Sequence, residues 1–388
     1  MADYRARDSS GVDTLPARRA PDSHEAFVRE VHDFLAEALT DDLREAGRLT
    51  IGTHSDLAAC RIWHRRLYER GWIAPAWPVA FGGTGWTARQ RFAFEQVCAG
   101  NDAPVMFAAG LRSIGPLICA IGSAEQRARY LKPILSGEDL WCQGFSETGA
   151  GSDLAALTTR ARRDGERYIV NGRKVWTTGA HLANRMFALV RTHNDGKPQE
   201  GITFLLIDMD SPGLTINPII TMDGEHEFNE VVFDDVSVPV ANRLGAEDDG
   251  WAVAKQLMRF ARTNNTNSSL LRRTWRRVCA ARAENPEADL GSRFAEAEIA
   301  LQTFESLEFR LLSAGRLSGD DEAGSSLMKV QATELHQTLT ELLIDLAGPM
   351  AIAGGYAVQK YLATRAASIY SGTSEVHRNL LAKQVMRG

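Results

Sequence analysis

Three short stretches carry the residue types that chemistry on a polar ligand would use. The first, Gly144-Phe-Ser-Glu-Thr-Gly-Ala-Gly-Ser-Asp153, sets three glycines among Ser146, Thr148 and Ser152. Bare glycine backbone lets a ligand approach N–H groups closely, and the hydroxyls add donors and acceptors around them. It is not a P-loop, because no Gly-Lys-Ser/Thr follows, nor is it GxGxxG after a strand. The second, Lys174-Val-Trp-Thr-Thr-Gly179, offers an aromatic plane and two hydroxyls on a predicted strand, a combination suited to a planar heterocycle. The third, Ile369-Tyr-Ser-Gly-Thr-Ser-Glu-Val-His-Arg378, reads as a corner where Gly372 ends one helix and Thr373 caps the next, with Glu375 in its first turn. Taken singly, these are also how a protein builds a tight turn, a core strand and a helix–helix corner.

The elements that must position them follow from periodicity. Residues 1–21 form a polar leader without an apolar segment, so no signal peptide is read there. Phe27, Val31, Phe34, Leu35, Ala38 and Leu39 recur at helical steps. Further helices are predicted over 56–70, stopped by Gly71, and over 87–99 and 123–135. Near Leu140 the period changes. Asp164-Gly165 and Asn171-Gly172 each predict a hairpin turn, joining runs at 158–163, 167–170 and 173–178. Strands continue at 186–191, 202–209, 214–220 and 230–233, and helices return after Pro239, at 251–262, 268–282, 293–314, 325–346, 356–370 and 373–386. The boundaries are thus a leader at 1–21, a helical domain at 22–139, a β domain at 140–240 and a helical bundle at 241–388.

Of the 388 residues, 44% are hydrophobic and 24% charged, the ordinary globular mixture, and the formal net charge of −5 provides no basic field for nucleic acid or an anionic membrane. The longest apolar run, near 113–122, is too short to cross a bilayer. Five cysteines, Cys60, Cys98, Cys119, Cys142 and Cys279, stand singly, which predicts a reducing, cytoplasmic setting with neither disulfide framework nor zinc.

In this order, and across a helical–β–helical pattern, the three stretches resemble the acyl-CoA dehydrogenase superfamily over nearly the whole chain from about residue 25. The first looks like the family's flavin signature, Trp176-Thr-Thr like its partner strand, and Ile-Tyr-Ser-Gly-Thr-Ser-Glu375 like its C-terminal signature. Gly-Ile-Thr-Phe-Leu-Leu-Ile-Asp208 and Val-Val-Phe-Asp-Asp-Val-Ser-Val-Pro239 are similar to family β-domain segments. Trp141-Cys-Gln-Gly-Phe-Ser146 and Asp223-Gly-Glu-His-Glu227 resemble the branch that includes large subunits of aromatic- and dicarboxyl-CoA dehydrogenases. The implied fold is α+β and multidomain: an N-terminal helical domain, a middle β-barrel-like domain and a C-terminal four-helix bundle.

The resemblance implies FAD between the β domain and the bundle. Phe145, Ser146, Gly151 and Ser152 would line the isoalloxazine and pyrophosphate, with Ser152 also near the thioester tail. Trp176, Thr177 and Thr178 would run along the other flavin face, a threonine hydroxyl near N5, while Thr373 and Glu375 would meet the adenine dinucleotide. Arg262 would lie by the acyl pocket, and the backbone N–H at Ser371 would help polarise the thioester carbonyl. The implied partners are an acyl-CoA or acyl-carrier-protein substrate, an electron-transfer partner or oxygen, and other chains in a homo- or hetero-tetramer.

In the family a carboxylate removes the α-proton from one of two positions, and here these hold Ala261 and Ser371, neither of which is a carboxylate. The family's Arg-xx-Phe-Gly and Gln-xx-Gly-Gly-x-Gly elements are not recognisable, and Gly348-Pro349 and Gly354-Gly355 occupy roughly that region. Glu225, Glu227 and Glu247 are expected to be solvated, and His181, His226 and His377 to be surface or supporting groups. Asn264, Asn265 and Asn267 either cap a helix break, the expected role, or point amides into the pocket. Three functional readings follow: an acyl thioester oxidoreductase with atypical base chemistry, a base-less subunit of a mixed oligomer, and a flavoprotein repurposed as a hydroxylase or non-oxidative catalyst.

Overall fold

The computed structural model describes residues 21, 23–261, 267–315 and 322–386. The N-terminal part is helical: α1 (His24–Ala38), α2 (Asp41–Arg48), α3 (Leu57–Arg70), α4 (Ala88–Gly100), α5 (Gly115–Ile121) and α6 (Ala124–Ser136). Local chemistry sets their ends. Asp56 caps α3 by accepting from the N–H groups of Ala58 and Ala59, and Gly71 ends it in the left-handed conformation. Thr87 with Gln90 and Ser123 with Gln126 form reciprocal capping boxes on α4 and α6. Edge-on contacts among Phe27, Trp72, Trp86 and Phe94, with centroids 5.0–5.9 Å apart, knit this core.

Residues Gly110–Ile114, ahead of α5, form a π-helical turn that periodicity did not reveal. Widening the turn redirects carbonyls, and that of Leu111 accepts from Trp77 Nε1 at 2.7 Å. The same indole lies where a side chain at Gly115 would stand.

The middle part is one seven-stranded sheet: β1 (Trp141–Gly144), β2 (Arg160–Asp164), β3 (Arg167–Lys174), β4 (Arg185–Arg191), β5 (Ile202–Asp208), β6 (Leu214–Ile220) and β7 (His226–Pro239). β4 pairs antiparallel with β5 on one side and parallel with β1 and the end of β2 on the other, and β2, β3, β7 and β6 continue antiparallel. The β2–β3 hairpin turns at Gly165 and Glu166, one residue beyond the predicted Asp164-Gly165, because Asp164 still pairs with Arg167. Asn171-Gly172 does not turn the chain. It lies inside β3, where the register with β7 shifts between Val170 and Gly172 and a Cβ at Gly172 would meet Thr159 Cα at 2.7 Å, so this glycine serves a bulge. The predicted strand over 173–178 likewise stops at Lys174, and beyond it Thr177 and Gly179 bond the β7 backbone singly, at Asn229 and Glu227.

After the sheet come α7 (Gly250–Ala261), α8 (Ser268–Glu284), α9 (Arg293–Ser313), α10 (Glu322–Ala347), α11 (Tyr356–Arg365) and α12 (Ser374–Val385). Helix α10 packs against α8, α9, α11 and α12 and supplies Leu339, Leu342, Leu343 and Leu346 to the bundle core. Helix α7 packs instead on α5, the π-helical turn and β5, and Val253, Ala254 and Leu257 join the core of the N-terminal helices and the β4–β5 face. Asn267 caps α8, accepting from Leu270 N at 3.0 Å, whereas Asn264 and Asn265 lie outside the described residues. Among the described residues no helix is long and apolar enough to cross a membrane, and no cluster of His, Cys, Asp and Glu could hold a metal.

Because Trp77 is pinned by Leu111, Gly115→Ala has little room to relax. It is expected to cost about 1–3 kcal/mol, read as a lowered denaturant midpoint with an unchanged slope.

Candidate functional site

The glycine-rich stretch leaves β1 as a compact loop in which Glu147 and Ala150 exchange backbone hydrogen bonds, each of 3.0 Å. Its anchor was not read from sequence. Lys174, at the end of β3 and fully buried, donates to Glu147 Oε1 at 2.8 Å and to the Phe145 carbonyl at 3.1 Å. Glu147 accepts from Thr158 N and Oγ1 at 2.7 and 2.8 Å and from Thr159 N at 2.9 Å. Burial by itself would raise the Glu147 pKa, but the Lys174 ammonium and these donors overcome it and hold it at about 2. Burial pulls Lys174 down to about 8, so both partners remain charged at neutral pH. A glutamate in the first motif and a lysine in the second were the available sequence signal; only the fold shows them as a pair.

This clamp fastens the loop to the segment after β3, and the Ser146 carbonyl accepts from Val175 N at 2.9 Å. Thr148, Gly149, Gly151 and Ser152 are exposed, and a Cβ built at either glycine meets nothing within 4 Å. Ser146 is half-buried. Phe145 is committed elsewhere: its ring packs edge-on against Phe187 and Phe204 at 5.8 and 6.0 Å, inside the core.

Beyond the clamp, Trp176 has φ of 58° and a 56% exposed indole. A bulky residue in the left-handed region is a strained arrangement that persists only when its surroundings enforce it. Here they do: Thr177 N donates to Asn229 O at 3.0 Å, Asn229 N and Nδ2 both donate to Thr177 O at 3.1 Å, and Gly179 N donates to Glu227 O at 2.8 Å. Thr177 is fully buried and its hydroxyl has no protein partner, whereas Thr178 is half-buried. Asn229 is itself held by His226 Nε2 at 2.8 Å and His181 Nδ1 at 3.1 Å, and the two imidazoles stack 3.8 Å apart. His181 and His226 are therefore supporting groups, as expected.

At the C-terminal motif Thr373 caps α12, accepting from Val376 N at 3.2 Å, and Glu375 lies exposed in the first turn. Ser371, exposed, also has a left-handed φ of 56°. Among the described residues the other non-glycine positions with positive φ are all aspartates, which tolerate that region, so the two outliers fall in two of the three candidate motifs. Helix α7 ends at Ala261, and Arg262 lies outside the described residues.

The carboxylates near the β domain differ in part from expectation. Glu225 is exposed, and Glu247 is a paired group, accepting from Arg243 at 2.9 Å, Tyr168 OH at 2.9 Å and Arg163 at 3.2 Å. Glu227 is not solvated: it is 8% exposed and accepts from Thr53 N at 2.7 Å and from the Thr53 hydroxyl. The loop before α3 folds over it, a long-range contact that no local pattern announces. Asp139, Glu147, Asp223, Glu227 and Glu308, the buried carboxylates among the described residues, are all engaged by donors.

A bare glycine loop, an exposed indole plane and a buried hydroxyl lacking a partner form a donor set that fits a flavin. The fold has known counterparts. Family models for the acyl-CoA dehydrogenase N-terminal, middle and C-terminal domains match residues 21–138, 142–236 and 248–386. The chain therefore belongs to the acyl-CoA dehydrogenase family and is an oxidoreductase of that type. Among its relatives is acyl-CoA dehydrogenase IpdE1 of Mycobacterium tuberculosis, 33% identical over 93% of this chain and 97% of the relative. Similar solved structures include the Tcur3481-Tcur3483 steroid ACAD, with 25% identity, TM-score 0.81 and 95% and 98% of the two chains covered. The ChsE4-ChsE5 complex from Mycobacterium tuberculosis matches with 28% identity, TM-score 0.79 and coverages of 96% and 99%.

Two outcomes test the clamp. Glu147→Gln strands a buried ammonium and is expected to cost about 3–5 kcal/mol in chemical denaturation, while Glu147→Gln with Lys174→Met costs much less. A carboxylate with a depressed pKa stabilises the fold above its ordinary value and loses that contribution as pH falls through the folded one. Acid titration of the parent should therefore show a loss of stability between pH 4.5 and about 2 that is absent from the double variant.

Proposed function

We propose that this chain binds FAD without a covalent link and oxidises an acyl thioester carried by CoA or a carrier protein, with its proton-abstracting group altered from the family pattern. The observation that carries the cofactor reading is the partnerless Thr177 hydroxyl beside strained, exposed Trp176 and the open Gly149–Ser152 loop. Neither motif contains a cysteine or histidine for covalent attachment. Bound here, FAD would supply a two-electron, hydride-accepting ring. The chain's part is to hold it: Ser146, Gly151 and Ser152 offer donors to the isoalloxazine and pyrophosphate, Trp176 its indole face, Thr177 and Thr178 their hydroxyls, and Thr373 and Glu375 the head of α12 to the adenine dinucleotide. Arg262 and Ser152 belong to the substrate side, with the Ser371 backbone N–H directed at the thioester carbonyl.

Removing an α-proton needs a base. Ala261 is inert, the Ser371 hydroxyl is a poor base, and the buried carboxylates described above are taken by other donors. Without a general base, proton abstraction is slower by about 10²–10⁴. A second reading, a base-less subunit working beside a carboxylate-bearing chain, is favoured by the likeness to the Tcur3481-Tcur3483 steroid ACAD and the ChsE4-ChsE5 complex, each named as a pair of proteins. Either reading implies an oligomer, most simply a tetramer, and an electron-transfer partner or oxygen as final acceptor.

The decisive measurement is anaerobic bleaching of the flavin band by a panel of acyl thioesters that includes a steroid-derived one. The parent alone should bleach slowly, and Ala261→Glu should bleach well above it, with Ser371→Glu as the control for the other family geometry. Parent rates of roughly 1–10³ s⁻¹ would mean that another residue is the base. A protein that takes up no FAD, even with a partner chain present, overturns the cofactor reading. A flavin-loaded monomer at micromolar concentration in sedimentation would contradict the oligomer.

A further inference from the structure

Helix α10 turns a buried polar stripe, Ser326, Lys329, Thr333, His336 and Thr340, toward the rest of the bundle. Its upper half grips the C-terminal motif. Lys329 Nζ donates to the Ala367 carbonyl at 2.7 Å, and Ser326 Oγ stands 3.1 Å from Nδ1 of His377, which is 4% exposed. The other ring nitrogen of His377, Nε2, lies 3.2 Å from the Ser371 carbonyl.

A carbonyl only accepts, so Nε2 carries the proton, and in the neutral ring Nδ1 then accepts from the Ser326 hydroxyl. Ser326 and Ser371 thus select one tautomer and one ring orientation. The ring also lies tight against the turn: a Cβ at Gly372 would come within 2.8 Å of Nε2. In a trans peptide the carbonyl and the following N–H point in opposite directions. Locking the Ser371 carbonyl onto His377 therefore sends the Gly372 N–H to the opposite side, and the left-handed φ of Ser371 fixes where its own N–H lies. Serine has no side-chain preference for that conformation, so the surrounding bonds must hold it.

We propose that His377, oriented by Ser326, is a positioning residue for the acyl thioester: by fixing the Ser371–Gly372 peptide it aims the amides of this turn at the thioester carbonyl. This rests on the acyl-thioester reading above. The contribution is geometric and does not depend on the side chain at 371, so it would operate whichever chain supplies the base.

The test uses the flavin-loaded oligomer and a 3-thiaacyl-CoA labelled with ¹³C at its carbonyl, a probe without a β-carbon hydride to give. Infrared difference spectra should show the carbonyl stretch lowered in the parent, still lowered in His377→Gln, whose amide can donate to Ser371 and accept from Ser326, and largely unshifted in His377→Leu. Ser326→Ala, a milder change should the leucine variant not fold, is expected to weaken the shift while ¹⁵N-histidine spectra show mixed tautomers in place of a single Nε2–H form. An undiminished shift in His377→Leu, or in Ser326→Ala if that is the folded variant, overturns the inference, as does an Nδ1–H tautomer in the parent. A parent that binds no thioester overturns the acyl-thioester reading as well, and absence of binding in every variant distinguishes that failure.

Discussion

The buried ion pair between Lys174 and Glu147 is the constraint on which the candidate site depends. It ties the glycine-rich loop after β1 to the end of β3, and it does so from the protein side, leaving the loop's other face open. Two charges removed from water are costly unless they gain further hydrogen bonds, and here Thr158, Thr159 and the Phe145 carbonyl supply them. A loop with three glycines and few apolar anchors would otherwise sample many conformations. The pair converts it into a fixed rim, so a ligand would meet N–H groups and hydroxyls that are already arranged.

Strain is the second organising feature. Trp176 and Ser371 hold left-handed backbone in two motifs almost two hundred residues apart, and each is enforced by hydrogen bonds to neighbouring elements: Asn229 and Glu227 on β7 for the first, His377 on α12 for the second. Both enforcing sets are polar and buried, and both rest on a further layer, the His181–His226 stack and the polar stripe of α10. Sites that must orient a ligand are built this way, because rigid backbone donors cost no reorganisation when charge develops.

The proposed change of base would separate fold from function. The family's three domains are all present, while the resemblance would put its two base positions at Ala261 and Ser371. Glu227, the buried carboxylate on β7 beside Asn229, is engaged by Thr53 in the loop before α3. A scaffold can keep its cofactor cradle and its backbone donors while the proton-transfer group moves to another chain or another chemistry.

Much of this was legible in the chain itself. Helix ends at Asp56, Gly71, Thr87, Ser123 and Thr373 follow from side-chain capping, a local interaction. The three motifs and the family they resemble were likewise written in short, ordered runs. What the sequence could not settle is every feature that depends on a distant partner. Asn171-Gly172 has the dipeptide of a hairpin turn, but the β7 ladder and the close approach of Thr159 make it a bulge. Phe145 sits inside the flavin signature, yet its ring belongs to a core built by Phe187 and Phe204. Thr177 and Thr178 are equivalent as letters, and only the pairing with Asn229 buries one with its hydroxyl unmet. Glu147 with Lys174, Glu227 with Thr53 and His377 with Ser371 join residues that periodicity never places together, apart from the last pair, whose orientation comes from Ser326 on another helix. Capping, turns and apolar periods are short-range and readable from spacing. The burial of charge and the direction of a hydrogen bond are decided by whatever the rest of the chain packs against them.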